Sequence, residues 1–266
     1  MNGTAFAEAA RSLSDLAAAL GTEAPLKLWS VLVSCLGDVS REGRVEVSGL
    51  ALAGLVERLG MQPQAMRVAL HRLKRDGWVE SRRDGRVGFH RLSAPALAQT
   101  WRVAGRIYGP AAGTQDWHLV GMPPDMPDGL SVLPDTVSAV AISRSFALAF
   151  GPVDDMPEAW LVTAPGPRGL PAWVREVVAE AGCEAAFTTL ETALAGIGAV
   201  PEDVADRVAL RVLVLHGWRR LILRSNPAAE MALGPGRAEI RCRARVHAVL
   251  DRLGPVPVDW ATGAAP

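Results

Sequence analysis

Apolar residues at helical spacing dominate the N-terminal part of the chain. The spacing predicts one helix over residues 4–20 and a second from Leu26 to Leu36. Gly37 and Asp38 come directly after the second apolar stripe, and both residue types favour the end of a helix. The pattern therefore predicts that the second helix stops there.

Two further helices follow, separated by a very short turn. Ser48 is suited to cap the first of them, which closes at Gly60. Pro63 stands where proline is tolerated in a first turn, and the next helix runs to about Asp76 before Gly77 ends it. Two helices joined by a short glycine-containing turn are typical of a helix-turn-helix.

A β-hairpin is predicted immediately after this helix pair, because the dipeptide Asp84–Gly85 favours a two-residue turn. With that dipeptide as the loop, Arg83 pairs with Arg86 at the tip. Val79 and Leu92 then share one face, which can cover the helical core. A helix-turn-helix followed at once by a basic-tipped hairpin indicates a winged helix.

The remaining sequence predicts an α+β multi-domain protein. A linker helix covers 95–112, and residues 202–252 have a helical pattern with breaks near 226–227 and 234–236. Between them lie short strand-like runs and one helix. These are the strands Trp117–Met122, Val137–Ile142, Phe146–Phe150, Trp160–Thr163 and Ala185–Thr189, and the helix Leu170–Ala181. We predict four parts: 1–94 (N-terminal helix plus winged-helix DNA-binding domain), 95–112 (linker helix), 113–195 (α+β module) and 196–266 (C-terminal helical domain).

Charge is distributed unevenly along a chain whose net charge is zero. Residues 67–91 contain eight Arg or Lys and three Asp or Glu, a local surplus of five positive charges. A basic patch of this kind attracts polyanions even on a neutral protein. The surplus coincides with the second helix of the pair and with the hairpin, which favours binding to double-stranded DNA.

The helical spacing assigns roles within this basic segment. Met66, Ala69, Leu70 and Leu73 should face the core, which leaves the opposite face for base edges in a major groove. Our candidates for reading bases are Gln62, Gln64, Arg67 and His71. Our candidates for holding phosphates are Arg72, Lys74, Arg75, Arg82, Arg83 and Arg86.

Two other functions fit parts of the sequence. Winged helices also serve as protein–protein adaptors, and the central α+β module could belong to a metal-dependent nucleic-acid-processing enzyme. The five His are scattered, the three Cys lie far apart, and no common catalytic motif occurs. The nearest approach to a metal site is Asp154–Asp155 beside Glu158, which is typical of an acidic loop. We therefore expect no catalytic residue, metal site or cofactor.

Sequence features also bear on location. No uncharged stretch is longer than ten residues, far short of a membrane span. The first twenty residues carry acids early and lack the segments of a signal peptide. We expect a cytoplasmic protein.

The chain resembles the PaaX-type repressors of phenylacetic acid catabolism. The stretches that carry the resemblance are LWSVLVSCLGD (28–38), LVERLGMQPQAMRVALHRLKRDGW (55–78), RRDGRVGFHRLS (82–93) and ALRVLVLHGWRRLILR (209–224). The resemblance implies an N-terminal winged helix, a central ferredoxin-like α+β module and a C-terminal helical region. It also implies a homodimeric repressor of a catabolic operon, bound to an inverted-repeat operator and released by an acyl-CoA thioester such as phenylacetyl-CoA.

The last of these stretches has two interpretations. One is that its basic residues and a tryptophan face an anionic effector, because guanidinium groups bind phosphate through paired hydrogen bonds. The other is that the arginines pair with acids at a domain or dimer interface. The candidates for an effector site or an interface are His216, Trp218, Arg219, Arg220 and Arg224.

Overall fold

The computed structural model describes residues 16, 26–111, 117–126, 129–134, 136–164, 170–180, 184–233 and 236–263. The helix predicted over 4–20 lies outside these ranges, apart from Leu16, which is helical and buried. The chain divides into two compact units. The first draws on Met1–Gly109, Thr189–Arg220 and Ala244–Pro266, and the second on Pro110–Thr188 and Leu221–Arg243. The four domain boundaries given above stay a prediction.

Helices and strands occur in separate runs along the described chain, which confirms the mixed α+β class. The N-terminal elements are α1 (Leu28–Val39), β1 (Val47–Ser48), α2 (Gly49–Arg58), α3 (Pro63–Arg75), β2 (Val79–Asp84), β3 (Val87–Leu92) and α4 (Ala94–Tyr108). The middle elements are β4 (Trp117–Gly121), β5 (Ser138–Ala141), β6 (Phe146–Phe150), β7 (Leu161–Thr163), α5 (Ala172–Glu180) and α6 (Glu184–Ala195). The C-terminal helices are α7 (Val204–Ile222), α8 (Pro227–Leu233), α9 (Ala238–Leu253) and α10 (Val258–Thr262).

Helix α1 does not end where the sequence pattern placed its end. It continues through Gly37 and Asp38 to Val39, so the predicted stop was wrong. The Asp38 carboxylate does not bond to its own backbone, because it accepts hydrogen bonds from Arg211 and Tyr108. A tertiary contact thus overrides a local preference for termination.

The predicted helix pair is present, with its capping residues in place. Ser48 accepts a hydrogen bond through Oγ from the backbone N–H of Ala51 at 3.1 Å, which satisfies a free donor at the start of α2. Pro63 is the first residue of α3. The core side of α3 is formed by the four predicted residues Met66, Ala69, Leu70 and Leu73, all of them buried.

The predicted hairpin is present but its register was wrong by two residues. Asp84 pairs with Val87, so the loop is Gly85–Arg86. Gly85, at the first loop position, has φ +58°, whereas Arg86 does not have a positive φ, because only glycines do in the described chain. This combination is that of a type II′ turn, which places glycine first. A shift of two residues preserves the faces of a strand. Val79 and Leu92 are direct partners, and both are buried as predicted.

The second unit is built on a four-stranded antiparallel sheet with the order β5-β6-β4-β7. The central strand β6 alternates between the two faces: Ala147 and Ala149 lie in one apolar cluster, and Leu148 and Phe150 lie in another. Helices α5 and α8 contribute to the second cluster, through residues such as Val174. The first four predicted strands of this region are confirmed.

The fifth predicted strand, Ala185–Thr189, was wrong, because these residues belong to helix α6. The buried residues Phe187, Leu190 and Leu194 have helical rather than alternating spacing. The short apolar run at its start was therefore too brief to distinguish a strand from a helix.

Gly151, directly after β6, carries a conformation that other residues avoid. Its φ is +132°, and an added Cβ would lie 2.6 Å from the carbonyl oxygen of Thr136. We expect Gly151→Ala to lower the free energy of unfolding by about 1–3 kcal/mol, measured by urea denaturation. Gly43→Ala is the control, since its added Cβ meets nothing within 4 Å. An equal effect of the two substitutions would contradict the strain at Gly151.

Candidate nucleic-acid interface

The solvent side of α3 carries the predicted base-reading residues. Gln62 immediately precedes the helix, and Gln64, Arg67 and His71 lie on it; all four side chains are exposed. The helix separates them from its buried apolar side, as the spacing predicted. The structure therefore leaves these polar groups accessible to a partner, and their role in reading bases stays a prediction.

The six predicted phosphate contacts are all exposed, but their surroundings differ. At the end of α3, Arg72 and Arg75 both lie near the carboxylate of Asp76, at 3.5 and 3.1 Å. The Arg72 guanidinium also lies over the Trp29 ring, 5.5 Å from its centre. These two arginines keep exposed charge while being oriented by their neighbours.

Arg82 is held more firmly than the others. It donates from Nε to Glu46 at 2.7 Å, pairs with Asp84 at 3.3 Å, and lies over the Phe89 ring at 4.6 Å. The hydrogen bond to Glu46 raises the pKa of Arg82 above its ordinary value. Much of the charge of this guanidinium is therefore compensated within the hairpin region.

Further salt bridges connect the charged residues on this side of the hairpin. Arg91 bridges Glu46, at 3.4 Å, and Glu80, at 3.0 Å, and Arg44 pairs with Glu80 at 2.8 Å. The Arg82 hydrogen bond, with the neighbouring positive charges, lowers the pKa of Glu46. These pairs stabilise the arrangement of the strands; they are exposed, so each contributes little on its own.

The remaining cations of the segment have no such compensation. Among the residues that the structure describes, Arg67, Lys74, Arg83 and Arg86 have no carboxylate within ion-pair distance. Their positive charge is therefore available to an external anion.

A groove of about 610 Å³ lies between α3 and the hairpin and gathers three of these cations. Arg67, Lys74 and Arg86 line it together with His71 and His90, and its lining includes no Asp or Glu. Burial, and then the charge of Lys74, lower the pKa of His90, whose Nδ1 lies 2.9 Å from Ser81 Oγ. The sequence did not single out Ser81 or His90, since only the hairpin register places them beside α3.

The C-terminal candidate residues do not form one exposed face. His216 and Trp218 are fully buried in the first unit, where His216 Nδ1 lies 3.1 Å from Ser34 Oγ and Trp218 Nε1 donates to the Ile107 carbonyl at 2.8 Å. Arg219 and Arg220 are half-buried, and the exposed Arg224 belongs to the second unit. Their assignment to an effector site or an interface stays a prediction.

The sequence did not indicate the acidic partner of Arg211 in a buried ion pair of the first unit. Arg211 donates to both carboxylate oxygens of Asp38, at 2.6 and 2.9 Å, and also to the carbonyl oxygens of Leu250 and Gly254. Tyr108 donates to the same carboxylate at 3.0 Å, and burial raises the pKa of its hydroxyl. This cluster borders a cavity of about 810 Å³. Asp38 and Arg211 are 173 positions apart, so periodicity could not connect them.

Metal sites and membrane spans are not found in the described ranges. No group of three or more His, Cys, Asp or Glu side chains there is arranged to hold a metal ion. None of the helices found in those ranges combines the length and the apolar character needed to cross a bilayer.

Comparison with known proteins identifies two matching segments. Residues 27–96, which contain the helix pair and the hairpin, match the family described as PaaX-like protein. Residues 118–161, which contain most of β4 and all of β5 and β6, match the PaaX-like, ferredoxin-like domain. The transcriptional repressor PaaX of Escherichia coli (strain K12) is 36% identical over 84 residues, which is 32% of this chain and 27% of that protein. The match thus spans about a quarter of the length of this curated relative.

Proposed function

The chain belongs to the PaaX-type family, and from that premise we propose that it is a DNA-binding transcriptional regulator. In this proposal residues 28–92 form a winged helix. Helix α3 enters the major groove of the operator, and the tip of the β2–β3 hairpin contacts the adjacent backbone. The protein acts as a cytoplasmic repressor of a catabolic operon.

The observation that carries the proposal is the acid-free groove beside α3. Its lining holds Arg67, Lys74 and Arg86 without a carboxylate, on a chain whose net charge is zero. Phosphate contacts supply most of the sequence-independent affinity for DNA, and they require cations that the protein has not already neutralised. The exposed polar residues of α3 lie beside these cations and are free to reach base edges.

The family resemblance also supports a homodimer and a small-molecule effector. A homodimer places two α3 helices on an inverted repeat, about one helical turn or a multiple of it apart. An effector, proposed to be an acyl-CoA thioester, releases the repressor by favouring an arrangement in which the half-site spacing no longer fits. Such an effector must bind that arrangement better than the DNA-bound one.

Removing the groove cations tests DNA binding directly. We expect the triple variant Arg67→Ala, Lys74→Ala, Arg86→Ala to bind DNA more weakly. The slope of log affinity against log salt should fall by roughly one for each phosphate that the variant no longer neutralises. Binding is measured by fluorescence anisotropy on a duplex from the gene's own upstream region, at salt concentrations from about 50 to about 300 mM.

A charge-matched variant controls for net charge. Arg102, Arg144 and Arg245 are exposed and lie outside the groove, and replacing all three by Ala removes the same charge. We expect this variant to keep the wild-type slope within about one unit. If the groove variant keeps the wild-type affinity and slope, the groove cations do not bind DNA. Wild-type protein that shows no salt-dependent binding to any duplex would instead favour the protein–protein adaptor.

A further inference from the structure

Val68 is an exposed apolar residue in the middle of an otherwise polar helix face. Its side chain is 72% exposed, the highest value among the large hydrophobic residues that the structure shows at the surface. Gln64 and Arg72 lie one turn away on either side, and His71 lies three positions on, all of them exposed. The apolar side of α3 is complete without Val68, because four other residues form it.

No feature of the isolated fold accounts for valine at this position. A β-branched residue has a lower helix propensity than the long polar residues around it, and an exposed one gains nothing from packing. Within the described residues, no large side chain covers it. We therefore expect a partner that places a small apolar group against Val68 and polar groups against the polar residues around it.

The major groove of DNA offers such a group. Thymine presents a C5 methyl there. The same groove displays the hydrogen-bonding edges of adenine and guanine, which Gln and Arg bind. We propose that Val68 is a specificity-determining residue that contacts a thymine methyl in the operator. This inference rests on the proposed DNA-binding function, and it adds an apolar contact to the polar residues already named on α3.

The neighbours of Val68 locate the thymine. Gln64 and Arg67 precede Val68 by four and one positions, so their side chains reach base edges within a few base pairs of it. The thymine should therefore lie next to a position at which Arg67→Ala relaxes base preference. Both half-sites of an inverted repeat should contain it.

Deoxyuridine tests the contact, because it differs from thymidine only by the C5 methyl. Duplexes that bind the protein are first isolated by selection from random DNA. Each thymine position is then replaced by uracil, one position at a time and in both half-sites together. At one position we expect the wild-type protein to bind about fourfold more weakly for each half-site that loses its buried methyl group, which is roughly 16-fold for the symmetric replacement. Val68→Ala should bind the original duplex about as weakly, and should show no further decrease with uracil at that position.

Val258→Ala is the matched control. Val258 is also a valine at a helix surface, 65% exposed, in α10 rather than on α3. This variant should keep the full uracil effect. Thermal melting of Val68→Ala should match that of the wild type, because the truncated side chain is exposed and alanine favours the helix.

The outcomes distinguish this inference from the function on which it rests. If the protein binds selected duplexes in a salt-dependent manner but no single uracil weakens binding, the Val68 contact is wrong and the DNA-binding proposal stands. The same conclusion follows if Val68→Ala retains the uracil effect. If selection enriches no sequence and no duplex is bound, both proposals are overturned.

Discussion

Replacing Asp38 by alanine is expected to lower the free energy of unfolding by about 3–5 kcal/mol, the cost of leaving a buried charge without its partner. The guanidinium of Arg211 donates two hydrogen bonds to Asp38, and its side chain is only 6% exposed. Removing the carboxylate also leaves the Tyr108 hydroxyl without the acceptor it has in the native protein. The measurement is urea denaturation of Asp38→Ala at pH 7, compared with wild type.

Two further variants separate this effect from a general loss of charge. Glu42 lies four positions on and pairs with Arg41 at the surface, so Glu42→Ala should cost less than about 1 kcal/mol. The double variant Asp38→Leu, Arg211→Met removes both charges. It should recover much of the lost stability, since an apolar pair of similar volume often replaces a buried ion pair. A decrease below about 1 kcal/mol for Asp38→Ala would contradict the role assigned to this pair.

Acidification should destabilise the protein through His216. Burial, followed by the charges of Arg220 and Arg219, lowers the pKa of His216 from 6.5 to about 4. Its Nδ1 is engaged with Ser34, and its Nε2 is buried without a hydrogen-bond partner in the described part of the chain. The folded protein thus holds this imidazole neutral, while the unfolded chain binds a proton near pH 6.5.

The sign and size of the effect follow from proton linkage. Between pH 6.5 and about 4 the unfolded state binds more protons, so the contribution of His216 to stability is complete above pH 6.5 and is lost as the pH falls toward 4. Lowering the pH from 7 to 5 should cost about 2 kcal/mol through this residue alone. Urea denaturation at the two pH values measures the difference.

The test compares pH dependence rather than absolute stability. His216→Asn should be less stable than wild type at pH 7 and should lose about 2 kcal/mol less on acidification to pH 5. His71→Asn, on the exposed side of α3, should keep the wild-type difference. If His216→Asn shows the same acid dependence as the wild type, another group is responsible.

Local elements followed from the sequence more reliably than the contacts between distant residues. The core side of α3 and the cap at Ser48 depend on spacing and residue type within one segment, and both were predicted correctly. The end of α1 was not predicted correctly, because the Asp38 carboxylate accepts hydrogen bonds from Arg211, far along the chain. Residue preferences near a helix end describe the segment alone, and a buried partner can reverse them.

In the candidate interface, too, local features were predicted correctly and contacts between distant residues were not. The exposed polar residues of α3 could be read from the helical period, whereas the groove beside them could not. The groove depends on the hairpin register, and the predicted register was two residues out because Gly85 was placed at the second loop position, whereas it occupies the first. In the observed register Ser81 and His90 are direct partners, and both line the groove. The sequence also could not show that Arg82 pairs with Glu46, since that contact joins positions 36 apart.

The first unit is assembled from three separate stretches of the chain. A fragment cut after residue 109 would keep Asp38 and the Ile107 carbonyl but would lack Arg211 and Trp218, their partners in the intact protein. The part of the first unit that precedes residue 110 therefore lacks, on its own, the partners of these two buried groups. A chimera that transfers it to another protein would have to carry α7 and the end of α9 along with it, and this restricts the crossover points open to recombination.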